Sequence, residues 1–423
     1  MNTQNLNNTM LHILKKELVT ATGCTEPIAI ALAGAKAREV LGMIPEKVDV
    51  EVSEAIMKNA KSVIVPNTNH LKGIRAAVSA GIIAGDASKG LDVLTSTNQS
   101  TMSSISEYIA STNIHVATLE SDDVLDIIVT VYAKDDVAKV RIVHEHANIA
   151  YIEKNHQILL NKTHCTNISE DYPELSIRAI YDFALTVDLD EVRTLIQQQI
   201  NTNSAISEEG LSKSYGANIG SVLLKTYGDT IENKAKAKAA AASDARMGGS
   251  ELPVTIVSGS GNQGISASIP VIEYGKHLNV SQDTLYRAII LSNLITVHQK
   301  SGVGCLSAYC GAVFSGAASG AGIAFLHGGD YEAITHTIVN ALAIVSGMIC
   351  DGAKPSCAAK IATAVDAGIL GYHMHLAGEE FLAGDGILAK GVESTLKNVA
   401  RLVREGMKVT NQEIVRIMTE NES

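Results

Sequence analysis

The stretch SGVGCLSAYCGAVFSGAASGAGIAFLHGG, residues 301–329, runs from Lys300 to Asp330 without one Asp, Glu, Lys or Arg. A second uncharged run covers residues 333–350. The fold turns on how this pair is read. By length both approach a bilayer span, which takes about 20 apolar residues. By composition both read as buried helices. The first is Gly, Ala, Ser and Cys more than Leu or Ile, and the second carries Thr335, His336, Thr337 and Asn340. Transfer scales do not favour such segments in lipid. Gly328-Gly329-Asp330 between them reads as a tight helix–helix turn. Small side chains let helix backbones approach closely, so the pair predicts the middle of a helical core and no membrane span.

Working outward, helical spacing dominates after about Tyr172. The candidate helices are 175–186, 188–202, 208–226, 230–242, 264–277, 282–297, 305–326, 331–349, 356–372, 390–405 and 411–420. Ahead of Tyr172 the signals mix. Residues 4–20 show helical spacing. Thr25-Glu26-Pro27 reads as a helix start, with a hydroxyl cap, an acid in the first turn and an early proline. Lys47-Val48-Asp49-Val50-Glu51-Val52 alternates strictly, as a half-buried strand does. Residues 125–132, 139–144 and 149–152 complete a probable antiparallel set. The expected architecture is an α+β N-terminal lobe, residues 1–170, followed by a larger all-α lobe of small-residue-packed helices, residues 171–423. The polar segment 161–171 is the softest boundary.

Composition narrows the function classes. The 423 residues carry 34 Lys+Arg against 45 Asp+Glu, a net charge of −11. An acidic balance without basic clusters argues against a nucleic-acid partner. Aromatics are 4% with no Trp, too few to build stacking platforms for single strands. Lys15, Lys16 and Glu17 interrupt the first apolar stretch, so no secretory signal is expected. Six cysteines are too few for a disulfide scaffold of this length. A reducing, cytoplasmic location is therefore expected, with free thiols or metal ligands.

Four segments place Gly and polar residues where a helix could begin: 21–27, 243–249, 258–264 and 350–357. A helix N-terminus offers free N–H groups and a positive dipole end, which suit a carboxylate or phosphate. The third, Ser258-Gly259-Ser260-Gly261-Asn262-Gln263-Gly264, lacks the Gly-Lys-Ser/Thr of a nucleotide loop. The plainer reading of each is a helix–helix turn. Cys350 and Cys357 flank a Gly and a Pro, so one uninterrupted helix cannot hold both and the turn can bring their thiols together. Cys310, one hairpin back, falls beside Cys350. Three converging thiolates can bind zinc or an iron–sulfur cluster, and three on a cubane leave one iron open as a Lewis acid. Against this, cysteine is among the most buried residue types and is usually inert. His144 and His146, two apart on a strand, would share a face and could bind metal, although a polar strand face is the commoner outcome.

GCTEP at 23–27, MKNAKSVIVPNT at 57–68, SDARMGG at 243–249, SGSGNQG at 258–264 and MICDGAKPSCAAK at 348–360 together resemble the L-cysteine desulfidase-like family. That family is similar to the alpha chain of the iron–sulfur L-serine dehydratases. The likeness runs from about residue 10 to 420. It implies a [4Fe–4S] enzyme with one open iron and no pyridoxal phosphate. Such an enzyme converts L-cysteine and water to hydrogen sulfide, ammonia and pyruvate, or dehydrates L-serine at the same site. The ligands it implies are Cys310, Cys350 and Cys357, with Cys24 catalytic, or Cys24 a ligand in place of Cys357, which then stands behind the cluster. Cys165 and Cys305 match no motif and are taken as structural. Ala60 and Asn67 stand where glycines are expected.

On this reading Cys24, with Thr25 and Glu26, forms the catalytic group. A thiol at a helix start would have a lowered pKa and could act as the base. Ser258, Ser260, Asn262 and Gln263 would hold the substrate carboxylate. The helix start at Thr25 should then face the same small cleft as residues 259–264 and the 350–357 turn. A homodimer fits the exposed helical lobe. The competing readings are a non-catalytic iron–sulfur or zinc sensor of cysteine or redox state, and a small-residue membrane protein.

Overall fold

The computed structural model describes residues 3–121, 123–162, 172, 175–303 and 307–420. Cys165, Cys305 and most of the 161–171 segment lie outside the described residues. The chain opens with α1 (Thr3–Glu17), β1 (Thr20–Thr22), α2 (Thr25–Leu41), β2 (Lys47–Ser53), α3 (Glu54–Ala60), α4 (Gly73–Ala84) and α5 (Gln99–Ser111). Strands β3 (Asn113–Leu119), β4 (Asp126–Ala133), β5 (Asp136–Val143), β6 (Ile149–Lys154) and β7 (Gln157–Asn161) follow. Then come α6 (Ile177–Thr186), α7 (Arg193–Ser212), α8 (Ile219–Tyr227), α9 (Ile231–Met247) and the short β8 (Pro253–Thr255). The helical part continues with α10 (Gly261–His277), α11 (Gln282–Ser301), α12 (Ala312–Leu326), α13 (Tyr331–Val345), α14 (Cys357–Leu376), α15 (Val392–Arg401) and α16 (Lys408–Glu420).

A mixed sheet region thus precedes a largely helical part. The six-stranded sheet has the order β3-β2-β4-β5-β6-β7, with β2 and β3 parallel and the other neighbours antiparallel. Alternation explains β2: Val48, Val50 and Val52 are buried in a core shared with α2 and α4. Lys47, Asp49 and Glu51 point the other way and line an open groove of about 580 Å³ with His115, Tyr132 and Lys139. That groove is a charged, solvated sheet face, and no cysteine lines it. The edge strands β3 and β7 escaped the sequence reading: β3 fully buries only Ile114, and β7 is mostly exposed. Ile158 and Leu159 of β7 are both more than half exposed.

The run at 301–329 does become a core helix. α12 is 15 residues long and touches α10, α11, α13 and α14. At 1.5 Å per residue it spans about 22 Å, short of the roughly 30 Å of bilayer hydrocarbon. Among the described residues, no helix is long and apolar enough to cross a membrane. The small residues do what composition suggested. A Cβ on Gly320 would lie 2.5 Å from the Gly368 carbonyl oxygen, and one on Gly368 would lie 2.3 Å from that of Gly316. α12 and α14 therefore meet backbone to backbone. One buried polar pair in this core is mutually satisfied: Gln199 and Asn293 exchange amide hydrogen bonds of 3.1 and 2.7 Å.

Two chain segments cross between the cores. Met10, Ile13 and Leu14 of α1 pack with Ile177, Ile180 and Phe183 of the helical core, although α1 precedes the sheet in sequence. β1 then pairs antiparallel with β8, Thr20 opposite Thr255. The chain crosses to the sheet core immediately afterwards, at Gly23-Cys24. At the other end α16 returns against α3, where Lys61 Nζ donates to the Met418 carbonyl at 2.5 Å. The seam between the cores is thus lined by the segments that carry the sequence motifs.

Candidate active site

The thiols are brought together by a single β-bridge. Tyr309 pairs antiparallel with Ile349. The Cys310 N–H donates to the Met348 carbonyl at 3.0 Å, and the Cys350 N–H to the Ala308 carbonyl at 2.6 Å. This puts Cys310 and Cys350 on the same face of the bridge, one on each side of the Tyr309–Ile349 pair. Cys310 precedes α12 and is not on it; the helix expected from 305 starts at Ala312, because the bridge takes up the backbone before it. Cys357 is the first residue of α14. Gly352, between Cys350 and Cys357, has φ +98°, and a Cβ there would lie 2.4 Å from the Lys58 carbonyl oxygen. Only glycine lets the turn fold back this tightly.

Burial pushes the Cys310 thiol up to about 12, and Cys350 and Cys357 add to the effect. Burial also raises Cys357, with Cys350 contributing, while Lys360 and Lys354 oppose. Lys360 Nζ donates to the Ile349 carbonyl at 2.9 Å and to Asp351 at 2.5 Å. Against burial, hydrogen bonds from Lys354 and Lys360 hold the Asp351 carboxyl down at about 2. Cys24, Cys310, Cys350 and Cys357 are all free thiols. Among the described residues, no three His, Cys, Asp or Glu groups converge on a single metal-ion position. Cys310, Cys350 and Cys357 lie within electrostatic reach of one another, with Lys354 and Lys360 beside them, and an all-thiol donor set is the chemistry of an iron–sulfur cluster as well as of zinc.

The second wall is the start of α2. Cys24 is its N-cap residue and makes no side-chain cap bond; Thr25, expected as the cap, is the first helical residue. Its hydroxyl is turned instead to Glu26 Oε2 and to the Gly259 carbonyl, both at 3.2 Å. Cys24 Sγ donates to Glu26 Oε2 at 3.4 Å. Asn59 Nδ2 donates to Glu26 Oε1 at 3.2 Å. Arg246 Nε donates to the Gly23 carbonyl at 3.0 Å, and its Nη2 lies 3.7 Å from Cys24 Sγ. Cys24 packs with Val63, Met247, Ala353 and Cys357. The expectation of a lowered Cys24 pKa is overturned: burial, then the Glu26 carboxylate, push this thiol far above its ordinary range despite Arg246. Desolvation and a neighbouring anion outweigh the helix dipole.

The third wall is the start of α10. Ser260 is its N-cap, and Ser258 has φ +49° in the turn before it. Asn262 Oδ1 accepts from Ser243 Oγ at 3.2 Å. Gln263 lies against Gly311, next to Cys310, and its Oε1 is buried without a partner. The 243–249 segment, expected to begin a helix, instead ends α9 and delivers Arg246. Asn67, where a glycine was expected, has φ +59°, a left-handed conformation that asparagine tolerates.

Sequence reasoning missed Lys58 and Asn59 and misplaced His146. Lys58 is almost completely buried under the thiol turn, where its Nζ donates to Ser307 O, Cys350 O and Asn411 Oδ1 at 3.1, 3.3 and 2.6 Å. Asn59 Oδ1 is buried without a partner. His146 does not share a strand face with His144, because β5 ends at Val143 and His144 has φ +72°. His144 Nε2 sits 3.0 Å from Asp123 Oδ1. His146 instead reaches the seam, its Cε1 lying 3.7 Å from where a Cβ on Gly259 would be. Burial pushes its pKa down, and its Nε2 is buried with no partner. Only the spacing of the two histidines was visible in advance, and it suggested the wrong geometry.

The serine dehydratase alpha chain model matches residues 50–416. A UPF0597 protein of Desulfitobacterium hafniense is 54% identical over 413 residues, covering 97% of this chain and 96% of its own. One of Lachnoclostridium phytofermentans is 50% identical, covering 97% and 99%. One of Bacteroides thetaiotaomicron is 37% identical, covering 97% of each. The family match begins after the Cys24 segment, whereas these relatives span it. The chain belongs to the serine dehydratase alpha chain family, within its UPF0597, L-cysteine desulfidase-like branch.

Proposed function

We propose that this chain is a pyridoxal-phosphate-independent lyase that eliminates sulfide from L-cysteine. The observation that carries the reading is the convergence of Cys310, Cys350 and Cys357 on the seam where Glu26, Arg246 and the 258–264 loop also meet. Cys310, Cys350 and Cys357 would hold a [4Fe–4S] cluster. When bound, such a cluster supplies an open iron that acts as a Lewis acid toward the substrate. The start of α10, with Ser258, Ser260, Asn262 and Gln263, offers free N–H groups and side-chain amides to the substrate carboxylate. Glu26, ringed by Thr25, Cys24 and Asn59, offers the negative group for its ammonium. Loss of the α-proton and of the β-sulfur leaves an enamine, which tautomerises and hydrolyses. One water enters; sulfide, ammonia and pyruvate leave. Cytoplasmic reducing conditions keep the thiols free for this role.

The family match supports L-serine as the alternative substrate, with water as the leaving group. Anaerobic cluster reconstitution followed by parallel sulfide and pyruvate assays on L-cysteine and L-serine decides. Equal sulfide and pyruvate from L-cysteine is the expected result. Pyruvate from L-serine alone moves the assignment to the dehydratase. Product from neither overturns the lyase.

A further inference from the structure

The elimination needs a proton acceptor beside the substrate α-carbon, and the basic atoms of the seam differ in whether they are already engaged. Both Glu26 oxygens accept hydrogen bonds, from Asn59 on one side and from Thr25 and Cys24 on the other. Cys24 holds its proton against Glu26, and the Lys58 ammonium is turned to three acceptors. His146 Nε2 is different: it is sealed from solvent and has no hydrogen-bond partner. Leaving a buried ring nitrogen unpaired is costly in an empty site. In a seam already lined by Glu26 and Arg246, such a nitrogen is a natural point for a ligand to complete.

We infer that His146 is the catalytic base, taking the substrate α-proton on Nε2; this rests on the lyase reading above. The ring edge carrying Cε1 and Nδ1 lies against the Gly259 loop, the wall to which the substrate carboxylate is assigned, and Nε2, the nitrogen on the other side of Cε1, is the one left without a partner. The electron pair of the Cα–H bond forms the Cα–Cβ double bond as the Cβ–S bond breaks, and the sulfur leaves with that bond's pair as hydrosulfide. The proton on Nε2 then returns to Cβ as the enamine becomes the imine. The charged groups facing the ring are Glu26 from α2, Arg246 from α9 and Glu145 from its own turn. Burial outweighs the two carboxylates and keeps the ring neutral below the pH at which free histidine protonates. The sheet, through the turn after β5, thus delivers the base to thiols supplied by the helices.

The test compares wild type with His146→Gln and His146→Ala. Turnover should fall about 10²–10⁴-fold in both, the usual worth of a positioned base, with KM and cluster absorbance changed less than about twofold. Added imidazole should restore part of the His146→Ala rate, and the acid limb of the wild-type pH profile should vanish in His146→Gln. Independently of activity, ring-proton NMR of the unloaded chain should show a low-titrating histidine signal that disappears in both variants, while that of His327, also lowered by burial, remains. Variants within about threefold of wild-type turnover would overturn the base assignment and leave the lyase standing. So would a large rise in KM with turnover preserved, or a His146 ring titrating above the free value. No product from the wild type with either amino acid overturns both.

Discussion

The two cores of this chain bury apolar surface by opposite means. In the sheet core, β-branched side chains such as Val48, Val50, Ile127 and Val129 fill the space between β-strands and α2. In the helical core, Gly316, Gly320 and Gly368 remove side chains altogether so that α12 and α14 touch through their backbones. The first tolerates small losses of volume; the second has no room for gains. The difference extends to the seam. The sheet side contributes proton-handling and hydrogen-bonding groups: Glu26, Asn59 and His146. The helical side contributes the Cys310, Cys350 and Cys357 thiols and Arg246. On the proposed reading, neither set makes a complete site alone.

The sharpest break of this division is at the thiols. Cys350→Ser should abolish both cluster absorbance and turnover, since it removes a proposed ligand. Cys24→Ala, on the sheet side of the contact with Cys357, should keep the absorbance and lower turnover by about 10–100-fold through lost positioning, below the 10²–10⁴ of a true base. Parallel visible spectra and rate measurements check both. If the two variants bleach alike, the thiols do not divide as proposed.

The packing contrast predicts a smaller effect. Gly320→Ala adds one methyl against the Gly368 carbonyl and should cost about 1–3 kcal/mol. Ile127→Val removes one methyl from the sheet core and should cost about 0.5–1.5 kcal/mol. Urea unfolding of the two variants tests the ranking. A harmless Gly320→Ala would mean the helices can part without penalty.

The smallest effect is electrostatic. Burial raises the Asp244 carboxyl to about 6, against hydrogen bonds from the Gly220, Ile219 and Ala217 N–H groups. The native state therefore binds this proton more tightly than the unfolded chain, whose carboxyl titrates near 3.8. The stability it favours is full below about pH 4 and is lost as pH rises through about 6. After solvent screening the loss should be about 1 kcal/mol. Melting curves of Asp244→Asn should lack this decline between pH 4 and 6; an unchanged pH dependence would show that Asp244 is not its source.

Much of the fold was legible because burial leaves periodic traces. Strict alternation located β2, and charge-free small-residue runs located α12 and α13. The edge strands β3 and β7 left weak traces, since a strand exposed on its edge need not alternate. The thiol set was legible for a different reason: a Gly and a Pro between Cys350 and Cys357 forbid one straight helix. His146, Asn59 and Lys58 were not legible. Each reaches the seam only because a turn after β5 or the short α3 is aimed there by tertiary packing, and no local pattern records that aim. The Cys24 pKa was misjudged because sequence displays the helix start but not the burial and the Glu26 carboxylate that overrule it.

On the proposed reading the cluster is held by the Cys310, Cys350 and Cys357 thiols, with Cys24 beside it but outside its ligand set. Iron and acid-labile sulfide per chain, measured after anaerobic reconstitution of wild type, Cys24→Ala and Cys357→Ser, test it most directly. About four irons per chain in wild type and Cys24→Ala, with almost none retained by Cys357→Ser, is the predicted result for a [4Fe–4S] cluster on Cys310, Cys350 and Cys357. A full complement in Cys357→Ser with loss in Cys24→Ala would contradict it.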